Sequence, residues 1–298
     1  MGEDCSAAGD TGGMGEPGPS LPPAGEWQRL GVQVESELHA GMQSRVFAAT
    51  VGGQRVALKL TDARLADAAL VAERLRMTGA LAALTPVVAA PVRLGGALLQ
   101  QVGAWLASAT SFVDGRGIDL TSAGDARLMG ETLAGLHSAL GRLPAFAIPP
   151  VAALAAGTGP GSAAAAAAGW QLLHGDFNAL NVIVTPAGPR LIDFDDCGYG
   201  PVAFDVANEL YMVLFDASVG DRRKLYASFR PVFLAGYRQA AGRPLDDGEV
   251  DGFIDARVAA LGRWLDDLPN APIGIRTSSP EWLQTLRAFV AGYRSGHW

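Results

Sequence analysis

His174-Gly175-Asp176-Phe177-Asn178-Ala179-Leu180-Asn181, followed by Asp193-Phe194-Asp195, is the stretch on which the reading of this chain turns. It sets an Asp, an Asn five residues later and a second Asp a dozen residues beyond that. Phosphoryl transfer needs these groups. One carboxylate, Asp176, orients an acceptor hydroxyl and takes its proton. An amide oxygen and a second carboxylate, Asn181 and Asp193, hold the magnesium ions that neutralise nucleotide phosphates. Oxygen ligands suit a hard cation that keeps several of its waters. The spacing also has a structural logic. Asp176 and Asn181 fit on one tight loop, and a strand over 182–184 follows. A turn at Pro186-Ala187-Gly188-Pro189 then leads into a strand over 190–192, which returns Asp193 to the loop. The competing explanation is a hairpin with polar loops, because Asp and Asn are common in turns. Composition argues against it: the chain has four Asn and four His, and two of those Asn and one His fall inside this octet.

The octet resembles the catalytic loop of the aminoglycoside phosphotransferase and choline kinase family, relatives of protein kinases that phosphorylate small-molecule hydroxyls. That family reads HGDxxxxN where protein kinases read HRDxxxxN, and its metal motif is often DFD or DWE in place of DFG. Both features are present, and Ile192-Asp193-Phe194-Asp195-Asp196-Cys197-Gly198-Tyr199-Gly200-Pro201, then Phe204-Asp205-Val206-Ala207, is similar to the family's continuation. The likeness is specific from about Leu172 to Ala207 and indistinct over roughly the last ninety residues. It implies a bilobal, protein-kinase-like α+β fold. A small antiparallel β-sheet lobe would span 26–111, a hinge 112–115, and a mostly helical lobe 116–298. The implied cofactors are ATP, or GTP, and Mg2+. His174 and Asp205 would brace the loop, Asp205 doing so as a buried structural carboxylate; as a sequence feature it reads equally as a helix N-cap.

The front half is read for a nucleotide grip. Residues 32–38 and 46–51 alternate or run apolar as two hairpin strands would. The turn between them contains Gly41 and Ser44, whose backbone N–H groups would lie over phosphates. A third strand carries Val56-Ala57-Leu58-Lys59. This resembles the kinase strand whose Lys contacts the α- and β-phosphates, and Lys59 is one of two lysines in the chain. A helix from about Asp62 to Met77 would offer Glu73 as its ion-pair partner; Glu73 is the only Glu between Lys59 and Glu131. Phe112, Val113 and Asp114 stand where the family's inter-lobe linker would bond the adenine edge. An amphipathic helix over 127–140 carries His137, read as packing beneath the catalytic loop, and 222–241 and 249–264 are helical by periodicity.

With 298 residues and 49% hydrophobic composition, the chain can bury a large core in one domain or two lobes. No apolar run reaches the roughly 18 residues needed to span a bilayer. The Gly-, Pro- and Ser-rich first 25 residues read as a disordered tail and not as a secretory signal. Two cysteines make no disulfide framework, so the expected compartment is a reducing cytoplasm. A net charge of −7 argues against nucleic acid as a partner. No basic residue lies between Arg190 and Arg222, where Asp195, Asp196, Glu209 and Asp216 are found. Either this is a solvated acidic surface, or it is a cleft whose potential attracts a cationic acceptor. These four residues and Trp264 are the candidate acceptor contacts. The Gly/Ala-rich segment 157–169 reads as a connector or small helix. The protein would act as a monomer or homodimer on a small cationic acceptor, foremost an aminoglycoside or basic peptide antibiotic. The alternatives are a metabolic kinase for an amino alcohol, homoserine or a sugar, and a nucleotide-binding regulatory pseudokinase.

Overall fold

Alternating burial along β3 (Gln54–Asp62) organises the first lobe: Val56, Leu58, Leu60 and Asp62 turn inward, which leaves Lys59 on the opposite face. The structure is a computed structural model that describes residues 19–40, 44–151, 169–215, 221–242 and 244–296. β3 lies between β2 (Ser44–Val51) and β6 (Trp105–Ser111), and the antiparallel sheet runs β1-β2-β3-β6-β4, with β1 at Val32–Ala40 and β4 at Pro91–Val92. A further strand, β5 (Leu99–Val102), also pairs with β6. Trp27 on the short helix α1 (Ala24–Arg29) joins Val32, Phe47, Leu58, Leu94 and Trp105 in the core of this lobe. The tail expected over 1–25 is therefore too long. The Trp105 indole N–H donates to the Ser20 carbonyl at 2.9 Å, so the chain is already tied to the sheet there. Residues 1–18 lie outside the described residues.

The helix expected over 62–77 instead forms as α2 (Ala68–Leu84). Asp62 remains in the strand opposite Trp105, and Asp67 caps the helix by accepting from the Ala69 and Leu70 N–H groups at 2.8 and 3.3 Å. The apolar face of α2 also has an unexpected destination. Met77 and Leu81 are fully buried in the core of the second lobe, while the helix also packs against β4 and β5 of the sheet.

A β-hairpin of the second lobe is anchored on both sides, on one of them to the first lobe. β8 (Val182–Thr185) and β9 (Gly188–Leu191) form the hairpin that carries the DFD motif, around a turn of Pro186-Ala187 that is tighter than expected. On one side Leu191 donates to the Val87 carbonyl at 2.6 Å and accepts from the Ala89 N–H at 2.9 Å. On the other, Arg116 and Val184 exchange backbone hydrogen bonds of 3.0 and 2.8 Å.

The second lobe is built from α3 (Ala123–Leu140), α4 (Val202–Phe215), α5 (Arg222–Ala241), α6 (Asp247–Asp266), α7 (Ile273–Arg276) and α8 (Pro280–Ser295). β7 (Gln171–Leu173) pairs with β10 (Gly198–Gly200) beside the helices. The 127–140 and 249–264 helices thus begin earlier than expected, and 222–241 forms as α5. Residues 152–168, nearly all of the Gly/Ala-rich segment, lie outside the described residues. Among those described, no helix is long and apolar enough to cross a membrane.

α3 and α5 meet at backbone contact because small residues face each other. A Cβ on Gly130 would lie 2.1 Å from the Phe233 carbonyl oxygen, and one on Gly236 would lie 2.6 Å from that of Arg127. Phe229 and Phe233 stack beside this seam, with centroids 5.6 Å apart. Gly130→Ala must push the helices apart and should cost about 1–3 kcal/mol, the usual range for overpacking. The check is a urea unfolding curve with a lowered midpoint and an unchanged m-value; an unchanged midpoint would refute the close approach.

Candidate active site

The catalytic turn follows β7 and is held from beneath by α4. Asp205, on the first turn of α4, has 0% exposure, and its two carboxylate oxygens meet converging donors. Oδ2 accepts from the His174 N–H at 2.8 Å and sits 3.1 Å from His137 Nε2, while Oδ1 accepts from the Gly175 N–H at 2.9 Å. His137 Nδ1 is 2.9 Å from the Tyr237 hydroxyl. Neutral His137 that donates from Nε2 would accept from Tyr237 at Nδ1, which gives the chain Tyr237–His137–Asp205–loop backbone. His174 is itself fully buried, its Nε2 3.1 Å from the Ile192 carbonyl oxygen and its ring 4.5 Å from that of Phe194. Gly175 explains why no side chain stands between His174 and Asp176. It has a φ of +84°, and a Cβ there would lie 2.0 Å from the Asp196 carbonyl oxygen.

Past the turn, a short 3-10 helix (Ala179–Asn181) presents the amide. Asn178 caps it by accepting from the Leu180 N–H at 2.9 Å, and donates to the Asp176 carbonyl oxygen at 3.0 Å. Asn181 Nδ2 also donates to that carbonyl, at 2.9 Å, and reaches Asp176 Oδ2 at 3.3 Å. With its amino end so engaged, the Asn181 side-chain oxygen is the end left for a cation. Asn208, one turn along α4 from Asp205, donates to Asp176 Oδ1 at 3.2 Å and to the Phe177 carbonyl at 2.9 Å. Sequence reasoning gave Asn208 and Asn178 no role. The signal for Asn208 was its spacing of three from Asp205, which puts both on one helical face.

Asp193 adopts the left-handed conformation, with a φ of +59°, among the described residues the only non-glycine to do so. That turns its carboxylate toward the strand face carrying Lys59. Lys59 Nζ lies 3.0 and 3.1 Å from the two Asp193 oxygens and 2.7 Å from Asp195. Burial disfavours the ammonium, but the charges of Asp195 and Asp193 outweigh it and hold the Lys59 pKa above its ordinary value. Burial likewise pushes Asp193 up, and the adjacent Lys59 charge overcomes it, so the carboxyl titrates below its usual range.

The expected Lys59–Glu73 pair is not made. Glu73 bonds Arg76 and accepts from the Ala147 N–H at 3.0 Å, and Arg74 Nε donates to the Cys197 carbonyl at 3.1 Å. Both side chains thus bond the backbone of the second lobe. In the linker, the Phe112 N–H is engaged by the Arg55 carbonyl at 3.1 Å, and the Arg55 guanidinium lies 3.9 Å over the Phe112 ring. The backbone groups of Val113 and Asp114 make no backbone hydrogen bond to a described residue. Ser44 opens β2, and Gly41 lies outside the described residues.

The acidic candidates separate by environment. Asp195 and Asp196 are exposed; partial burial, then the charges of Asp176 and Asp195, raise the pKa of Asp196. Asp216 lies outside the described residues. Trp264 is 38% exposed on α6 and, among the described residues, shares no ring contact with the loop. Cys197 is completely buried, and burial pushes its thiol up to about 12, which leaves it an inert packing group.

Glu209 cannot be an acceptor contact as expected, because it is wholly buried in α4, and neither carboxyl oxygen has a partner in hydrogen-bonding geometry. Burial and the nearby Asp176 charge push it up to about 8 against the pull of the Ala179 N–H, so the folded protein carries it neutral at pH 7. The folded state then binds more protons than the unfolded state between the ordinary value of 4.5 and about 8. Stability from this group falls as pH rises through that window. Glu209→Gln keeps the shape without the ionisation. It should be about as stable as wild type near pH 4.5 and more stable by a few kcal/mol at pH 8, since each pH step within the window is worth at most about 1.4 kcal/mol. Parallel urea curves at the two pH values check this; a constant difference would refute it.

Comparisons with known proteins bear on the family and the fold. A family model described as "Phosphotransferase enzyme family" matches residues 35–253. Among solved structures, the amicoumacin kinase hAmiN in complex with AMP-PNP, Ca2+ and Ami superposes with a TM-score of 0.70 at 19% identity, covering 91% of this chain and 92% of that one. The microcompartment-associated aminopropanol kinase gives 0.63 at 18% identity, over 89% and 93%. An aminoglycoside phosphotransferase from Alicyclobacillus acidocaldarius gives 0.57 at 15%, over 95% and 98%. No curated protein matches the chain. The fold is the protein-kinase-like one, and with most of its length covered by the family model the chain belongs to the phosphotransferase enzyme family, whose members are small-molecule kinases.

Proposed function

We propose that the protein transfers the γ-phosphoryl group of Mg2+-bound ATP to a hydroxyl of a small, cationic acceptor. The observation that carries this reading is the meeting of Lys59 from the first lobe with Asp193 and Asp195 of the second, beside the Asp176–Asn181 loop. Asp176, oriented by Asn208 and Asn181, accepts the proton as the acceptor oxygen bonds to the γ-phosphorus. The bond from phosphorus to the β,γ-bridging oxygen breaks, and ADP leaves with that electron pair. Loop and hairpin are fixed by buried hydrogen bonds, so the groups are in place before reaction, and positioning supplies much of the rate.

The donor set fits a hard divalent ion. Asn181 offers an amide oxygen and Asp193 a carboxylate, and among the described residues no group of three or more His, Cys, Asp or Glu forms a closed metal cage. When bound, magnesium would neutralise charge on the phosphates. Lys59 would then hold phosphate oxygens in place of Asp193 and Asp195. Val113 and Asp114 present the backbone edge for the adenine. Exposed Asp195 and Asp196 make the acceptor side acidic, which supports a cationic acceptor such as an aminoglycoside or basic peptide antibiotic, with amino alcohols as the second class. The relatives whose names include amicoumacin and aminopropanol support both classes.

Asp176→Ala should lower phosphorylation at least about a thousandfold while nucleotide affinity stays within a few-fold, because the carboxylate acts on the acceptor. Lys59→Ala should weaken nucleotide binding as well as turnover. The check is incubation with Mg-ATP and a panel of cationic antibiotics and amino alcohols, products being read by mass spectrometry. Full turnover by Asp176→Ala would sink the mechanism.

A further inference from the structure

Tyr211 lies one turn beyond Asn208 on α4, so its side chain shares the face that reaches the Asp176 loop. The guanidinium of Arg257, on α6, lies 4.7 Å from the Tyr211 ring centroid and 5.8 Å from that of Phe204. Arg257 is partly exposed, so the packing against Tyr211 and Phe204 does not close it off from solvent. Its donors are unused. Nε is buried without a partner, and the guanidinium makes no hydrogen bond or ion pair with any described residue. By contrast, Arg230 on α5 pairs with Asp251 at 2.7 Å, and Arg238 pairs with Asp247 at the same distance. Burial acts to lower the pKa of Arg257, while Tyr211, Asp176, Asp196 and Asp205 are close enough to oppose it, so the cation stands within electrostatic reach of the candidate catalytic carboxylate.

An arginine kept only for packing would leave its buried Nε–H desolvated and unbonded, which is costly, whereas Met or Leu would fill the same space. A guanidinium laid on an aromatic ring is instead held in one plane with its edge directed outward. That is the geometry for two parallel hydrogen bonds to a carboxylate.

We propose that Arg257 is an anion receptor of the acceptor site: lying on Tyr211 with its donors free, it holds a carboxylate of the acceptor whose hydroxyl Asp176 orients. The proposal rests on the phosphotransferase reading and amends its acceptor, which keeps the cationic group and gains a carboxylate. The acceptor is a small hydroxylated zwitterion whose ammonium is drawn to Asp195 and Asp196, while its carboxylate is read by Arg257. A contact from Arg257 to the transferring phosphoryl group is the rival role for the same donors. It differs in affecting every acceptor alike.

Matched acceptors that differ by one carboxylate test this: L-homoserine against 3-amino-1-propanol, L-threonine against 1-amino-2-propanol, and L-serine against ethanolamine. For each, kcat/KM is measured with Mg-ATP on wild type, Arg257→Gln, Arg257→Lys and Arg263→Gln, the last an exposed arginine on the same helix. Wild type should favour the carboxylate-bearing member of at least one pair by about tenfold or more, as expected of a charged bidentate contact. Arg257→Gln should bring that ratio close to one, mainly through the KM of the acid. Arg257→Lys should keep part of the ratio, and Arg263→Gln all of it. Thermal midpoints and the KM for ATP identify any variant that has lost its fold; if Arg257→Gln has, the Arg257→Lys ratio decides. A wild-type ratio of one or below overturns the proposal, as does an equal fall in kcat for both members in Arg257→Gln, or ATP hydrolysis by wild type with no pair member accepted. In all three cases the kinase reading stands. Absence of both nucleotide binding and ATP turnover would instead overturn the kinase reading, and this proposal with it.

Discussion

A carboxylate with no access to water cannot be left unpaired, and Asp205 is such a group. Removing an ion from water costs several kcal/mol unless donors converge on it. Here the donors are the backbone N–H groups of His174 and Gly175 and the ring of His137. The requirement works in both directions. α4 cannot bury its first turn unless the catalytic turn folds over it, and the turn cannot hold its conformation without the carboxylate below. His137 ties α3 into the same unit, and Tyr237 ties in α5. The position of Asp176 is thus inherited from three helices. The side chain of Asn208, one turn further along α4, then sets the direction of its carboxylate.

The second structural theme is the allegiance of α2. Although it lies between β3 and β4 of the sheet in the chain and packs against β4 and β5, its buried residues Met77 and Leu81 belong to the core of the large lobe, and Glu73 and Arg74 bond that lobe's backbone. Among the described residues Lys59 is met by the DFD carboxylates and not by a side chain of α2. In the structure the ammonium and the two aspartates compensate one another. In the proposed reaction a metal ion and phosphates would take over as their counter-charges. The pairing of Leu191 with residues 87 and 89 keeps this junction in register, because the strand that makes the link to the first lobe runs directly into the DFD motif.

Much of this was legible along the chain. The octet at 174–181 and the DFD motif announced a loop and a returning hairpin, and Val-Ala-Leu-Lys announced a strand with Lys59 on one face. These signals are local: they depend on side-chain alternation, turn residues and short spacings. Errors arose where a side chain's meaning depended on what packed against it. Glu73 had the right position in sequence for Lys59, yet the helix docks elsewhere. Glu209 reads as one more member of an acidic run, yet it is on the inward face of α4 and lacks any solvent contact. The start of α2 was misplaced because Asp62 is a strand residue in context, and Asp67 supplies the cap.

The sequence alone determined the family, the two-lobe α+β architecture and the group of polar residues suited to phosphoryl transfer, because such chemistry demands particular residue types at short, fixed separations. Tertiary structure decided which of the many carboxylates face solvent and which are buried. It decided that Lys59 meets Asp193 and Asp195 and not Glu73, and that Arg257 from the far end of the chain stands over Tyr211 near the catalytic loop. Those outcomes depend on contacts between residues tens to more than a hundred positions apart. There burial and the competition for hydrogen-bond partners, not spacing along the chain, set the charge and direction of each group.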